Sequence, residues 1–128
     1  MIKRISNLEK APRAKGPYSI VVESSNLVFV SGQGPMDPNK EDFVKGFVEE
    51  EAKQAFNNVR VILESIGLSI GNIVKVTLYL SNMDDYEVVN KVYAEFFGPF
   101  YPARTCVEVR RLPFDTKIEI DVVASRES

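Results

Sequence analysis

The hydrophobic residues between about Phe47 and Ile66 constrain this chain more than any other feature. Ala52, Ala55, Phe56, Val59, Ile62, Leu63 and Ile66 recur at intervals of three and four, the period of one helix face. Gly67 is a natural stop. A helix with one apolar stripe must bury it against another layer. A second stripe follows, Val88, Val89, Val92, Tyr93, Phe96 and Phe97. Ser81 with Asp84, or Asn82 with Asp85, offers a cap for its start, and Gly98-Pro99 ends it.

The layer these helices need is β. Ile20 to Glu23 and Asn26 to Ser31 read as a hairpin turning at Ser24-Ser25-Asn26. Gly32 to Asn39, dense in Gly and Pro, reads as a loop. Ile73 to Leu80, Ala103 to Val109 and Lys117 to Ala124 read as strands, the last two joined by RRLPFD. The order is ββαβαββ. The spacing predicts an α+β two-layer sandwich, a mixed sheet with two helices on one face, as one domain over residues 1–128. The other sheet face is left without a partner.

Absences narrow the chemistry. The chain has no histidine, one cysteine (Cys106) and no tryptophan. This excludes a Ser-His triad, a Cys-His dyad, a histidine-ligated metal and a CxxC motif. A formal net charge of -2 and a sequence pI near 5.2 give no electrostatic footprint for nucleic acid. Apolar runs such as Leu27 to Val30 are too short to span a membrane. MIKRISNLEK lacks the apolar stretch of a secretory signal, so a cytoplasmic location is the expectation.

Alternation then singles out the last two strands. Arg104, Cys106 and Glu108 take one side of theirs; Lys117, Glu119, Asp121 and Val123 face away from the core side of the other. Paired as an antiparallel hairpin around Leu112-Pro113, the strands would bring Glu119 opposite or diagonal to Arg104 and near Cys106. A solvated ladder of ion pairs satisfies that spacing, and spacing alone favours it. An Arg–carboxylate site satisfies it too, because Arg offers a planar fork for a bidentate carboxylate. Cys106 without a histidine fits a small buried hydrophobe better than a nucleophile. Tyr18 and Ser19 after Gly16-Pro17 fit a turn, Ser31-Gly32 a strand-end turn or a ligand-facing backbone, and Asp84-Asp85 helix-dipole complementation.

Several segments together resemble the YjgF/RidA family of reactive-intermediate deaminases. They are AP-x-A-x-GPYS (Ala11 to Ser19), VFVSGQ-x-P-x-DP (Val28 to Pro38), Asn58-Val59, IVKVTLYL-x-x-MDDY-x-x-VN-x-x-Y (Ile73 to Tyr93), Phe96-Phe97, PARTCVEV (Pro102 to Val109), Leu112-Pro113 and KIEID-x-VA (Lys117 to Ala124). They occur in order over nearly the whole chain. The resemblance implies a chorismate-mutase-like fold and a homotrimer with inter-subunit active sites. It implies that Arg104 binds the carboxylate of a 2-imino acid and that Glu119 handles the attacking water. Tyr18, Ser31, Gly32 and Cys106 would line the site, with Asn90 nearby in a structural role. No cofactor and no metal are expected. Departures are Glu51-Ala52 where Gln-Thr or Gln-Ala is common, Ile20 after GPYS, Gly34 after SGQ, Arg110, and a short GPFY before PAR; they bear on pocket shape.

The expected reaction is hydrolysis of 2-imino and 2-amino-alkenoic acids, such as 2-aminoacrylate, to 2-keto acids and ammonia. Arg104 would orient the substrate, and Glu119 would move protons. The alternative is a non-catalytic trimeric module that binds small carboxylates or keto acids. RNA cleavage, a label some family members carry, lacks a basic, aromatic-studded strip here. A holdase role has no specific signature.

Overall fold

A computed structural model describes residues 1–127. In chain order the elements are β1 (Lys3–Ile5), β2 (Val21–Ser24), β3 (Leu27–Gln33), β4 (Met36–Asp37), β5 (Asp42–Phe43), α1 (Val48–Ser65), β6 (Ile73–Leu80), α2 (Tyr86–Phe97), β7 (Ala103–Glu108) and β8 (Ile118–Ser125). The two helices and the β2–β3 hairpin lie where the sequence puts them, with Ser25 at positive φ in the turn and Val88 of the second stripe exposed. Two things differ at this level. A strand β1 joins the sheet edge, and the stretch read as a loop from Gly32 contains the end of β3 and one arm of the small β4–β5 hairpin.

Six strands form one sheet in the order β1-β2-β3-β8-β6-β7. β8 is central, antiparallel to both β3 and β6. β7 lies at the edge, parallel to β6. The strand α2 leads into therefore runs beside the strand α2 leaves, as a helical crossover requires. The expected β7–β8 hairpin does not form, because β6 sits between the two.

Both helices cover one face. Ala52, Ala55, Phe56, Val59, Ile62 and Leu63 of α1 are fully buried against Val76, Leu78, Leu80, Ile118 and Ile120 of the sheet. Phe56 joins the helices, with ring centroids 5.9 Å from Tyr93 and 5.5 Å from Phe97. Burial of one such ring contributes roughly 2–3 kcal/mol. α1 closes on a Schellman pattern. Gly67, at φ +82, donates to Glu64 O, and Leu68 donates to Leu63 O at 2.8 Å. At α2, Asn82 Oδ1 accepts from Asp84 N at 2.9 Å in a 3-10 turn ahead of the helix, so one of the two expected caps is used, one turn early.

Among the described residues, the opposite sheet face carries no helix. Val22, Phe29 and Val123 stand side by side there, in register across β2, β3 and β8. Leu27, Phe29 and Val107 are exposed. Among the described residues, no helix is long and apolar enough to cross a membrane.

Candidate active site

The register decides where the charged residues go. Arg104 aligns with Val76, Cys106 with Leu78 and Glu108 with Leu80. Aligned residues share a face, so Arg104, Cys106 and Glu108 lie on the helix side. Glu119 aligns with Tyr79, and Asp121 with Thr77, on the open face. Arg104 and Glu119 thus stand on opposite faces of one sheet, with β6 between their strands. This corrects the cross-strand neighbourhood expected from alternation, which assumed a β7–β8 pairing that does not exist.

Arg104 is held by α2. Its guanidinium lies 4.6 Å from the Tyr93 ring centroid and 5.6 Å from that of Tyr86, and Nη2 donates to Tyr86 Oη at 3.0 Å. Such stacking fixes a planar cation without neutralising it. Tyr86, Asn90 and Tyr93 are spaced four and three apart along α2, so Asn90 lies between the two aromatic contacts on the same helix face. Tyr93 Oη is buried without a hydrogen-bond partner. Burial pushes this phenol up to about 12, against the opposing charge of Arg104. Burial likewise pushes the half-buried Cys106 thiol up, with Arg104 again opposing, the direction that disfavours the nucleophilic thiolate.

Glu119 borders a cleft of about 230 Å³ on the open-face side. Tyr18 and Gly32 border it as well, so three of the predicted site residues meet there. The local fold explains how. Between Val30 and Gln33 the β3–β8 register shifts, putting Ser31 and Gly32 in a bulge beside Glu119. Gly32 has no room for a side chain: a Cβ there would lie 2.9 Å from Glu119 Cδ and closer still to Oε2. Ser31 does not line the cleft. It ties the GPYS segment down, its Oγ donating to Ser19 O at 2.6 Å and its N–H to Ile20 O at 2.9 Å. Tyr18 Oη accepts from Lys15 N at 3.2 Å.

The Glu119 carboxyl is held above the usual carboxylate range, first by burial and then by the charge of Asp121. Asp121 accepts a 2.8 Å hydrogen bond from Tyr79 Oη. That bond, before burial and the nearby charges of Asp121 and Glu119, raises the Tyr79 phenol. A partly buried carboxyl raised in this way is suited to taking up a proton and giving it back.

Alternation in sequence missed Arg13, Lys15, Phe43 and Phe114, which also border the cleft. They come from loops, where strand periodicity carries no signal. It also missed Asn58. This buried side chain on α1 donates to Gly34 O at 3.1 Å and to Met36 O at 2.7 Å, clamping the segment that forms the cleft wall. Glu51, buried at the start of α1, accepts from Lys117 N at 2.8 Å and fixes the entry to β8 two residues before Glu119. Among the described residues, no group of three or more His, Cys, Asp or Glu stands together to hold a metal ion.

A raised carboxyl on the wall of a largely apolar cleft is an arrangement that suits a small organic ligand. A family model described as Endoribonuclease L-PSP matches residues 8–126. A RutC family protein of Pyrococcus abyssi is 44% identical over 127 residues, covering 99% of this chain and all of the relative. The human 2-iminobutanoate/2-iminopropanoate deaminase is 41% identical over 124 residues, 97% of this chain and 90% of that protein. The solved structure of Escherichia coli TdcF with bound serine superposes with a TM-score of 0.91 at 38% identity, covering 98% of this chain and all of that one. The chain belongs to the YjgF/RidA family, among whose curated members are imine deaminases.

Proposed function

We propose that this chain hydrolyses 2-imino acids, and enamines such as 2-aminoacrylate after tautomerisation, in clefts completed between the subunits of a homotrimer. The observation that carries the reading is the opposition of Arg104 and Glu119 across one sheet. No single substrate of a few atoms reaches both within one chain, whereas a neighbouring copy can bring its Arg104 to this chain's Glu119. The uncovered sheet face, with Leu27, Phe29 and Val107 exposed, offers the apolar surface for such packing.

In that arrangement the Arg104 fork holds the substrate carboxylate and with it the imine carbon. Water adds to C2 while Glu119 takes its proton. Glu119 passes that proton to the imine nitrogen, giving a carbinolamine; it then takes the proton of the C2 hydroxyl and delivers it to the amine as C2=O forms, the C2–N bond breaks and ammonia leaves. Imine and water become 2-keto acid and ammonia, with no change of oxidation state and hence no oxidant or reductant needed. The backbone at the Ser31–Gly32 bulge faces the reacting centre.

Arg13 and Lys15 border the Glu119 cleft within the same chain, and the test separates them from Arg104. Arg104→Ala and Glu119→Gln are each expected to lose activity against imines generated by an amino-acid oxidase. Refolded together, they regenerate intact sites wherever an Arg104→Ala subunit supplies Glu119 and its neighbour supplies Arg104. Random 1:1 assembly makes about a quarter of the sites whole. Recovery near that level supports the reading. No recovery, or an Arg104→Ala variant as active as wild type, sinks it.

The bound serine in the TdcF structure favours a second reading, a module that binds small amino-acid-like carboxylates without turnover. A wild-type chain that binds such ligands but leaves imine decay unchanged would establish it.

A further inference from the structure

The wall of the cleft beside Glu119 includes an unusual turn. Phe114 sits at φ 61, ψ 19, in the left-handed region that aromatic residues avoid, and Asp115 follows at φ 56. Two contacts hold the turn in place. Arg111 grips Asp115 through Nε at 2.6 Å and Nη2 at 3.2 Å. Lys45 Nζ donates to Phe114 O at 3.0 Å. The result is a phenyl ring that is 53% exposed yet fixed, stacked on Phe43 with centroids 4.7 Å apart. Phe43, Phe114, Met36 and Ile20 all border the same cleft as Glu119. A cleft-lining ring held against backbone strain is a feature that the surrounding structure must over-determine.

We infer that this wall selects the substrate: the site takes 2-imino acids with a bulky apolar side chain in preference to those with a single methyl group. The inference rests on the deaminase reading and adds the substrate class. With the imine carbon near Glu119, the side chain at C3 and beyond runs toward Phe43 and Phe114. There it displaces water from apolar surface that a methyl group cannot reach. Differences of one to a few carbons in an apolar pocket change kcat/KM by roughly 10- to 200-fold.

The test compares imines made by an amino-acid oxidase from phenylalanine and from alanine, with residual imine trapped as its semicarbazone. Wild type is expected to accelerate decay of the phenylalanine-derived imine about tenfold more than that of the alanine-derived one. Phe114→Asn keeps a residue that tolerates the left-handed backbone and removes the ring. It should collapse the preference, the rate on the phenylalanine-derived imine falling about tenfold more than that on the alanine-derived one. Phe114→Leu restores apolar bulk and should recover part of the preference. Equal acceleration of both imines by wild type overturns the inference but leaves the deaminase reading standing. Loss of both activities alike in Phe114→Asn, with or without a change of assembly, also overturns it by making the ring structural. Failure of wild type on every imine sinks the deaminase reading itself, a separate result.

Discussion

Replacing Gly32 by alanine separates activity from stability. The added Cβ would lie 2.9 Å from Glu119 Cδ and 3.3 Å from Cγ, and would collide with Oε2. Ordinary contact begins at 3.4 Å. The carboxyl carbon must therefore retreat by about half an ångström and its oxygen by on the order of 1 Å. The atoms that move are the far end of a flexible side chain beside a cleft, so folding is hardly taxed, and the change is expected to cost under about 1 kcal/mol. Catalysis is not so forgiving. A reacting group misplaced by about 1 Å costs up to about 10²-fold in rate. We expect Gly32→Ala to unfold at nearly the wild-type urea midpoint while its kcat for imine decay falls at least tenfold. A variant with wild-type kcat would refute the assignment of Glu119 to proton handling. One that loses stability and activity together would show that the bulge, not the carboxyl, is what the methyl disturbs.

Glu119→Gln should abolish most turnover, by about 10²-fold or more, and yet raise the melting temperature at pH 7. The sign follows from the raised carboxyl: folding favours its neutral form, so the associated stability is full below the unfolded pKa and is lost as pH rises through the folded one. The gain in melting temperature should shrink towards nothing near pH 3 or below, where both states are protonated; a gain that persists there contradicts it. Asn58→Ala leaves the Gly34 and Met36 carbonyls without their donor and should cost about 2–3 kcal/mol, read as a lower urea midpoint at unchanged slope.

Both helices, the hairpin and the three long strands were legible in the sequence because each has an unbroken period. The faces of the last two strands were legible only as alternations, and alternation has no absolute sign. Arg104, Cys106 and Glu108 looked polar enough to face away from the core, yet they share a face with Val76, Leu78 and Leu80. At a sheet edge the helix layer thins, and α2 meets Arg104 with the rings of Tyr86 and Tyr93 instead of closing over it. The pairing itself has a signal in the order of elements. A strand, a twelve-residue helix and a strand in succession favour a parallel crossover. Such a crossover puts β7 beside β6 and sends β8 elsewhere. The cleft walls at Phe43 and Phe114 had no periodic signal, since both depend on turns and on contacts distant in sequence.

The position of β8 has a consequence for how the chain acquires its shape. The last strand in sequence occupies the middle of the sheet, hydrogen-bonded on one side to a strand some ninety residues earlier and on the other to one some forty-five residues earlier. During synthesis β3 and β6 emerge first and wait as open edges, the surfaces most prone to pairing with another chain. The six-stranded sheet is complete only once this last strand pairs with both. Ile118, Ile120 and Val122 therefore complete a core that everything before them can only outline.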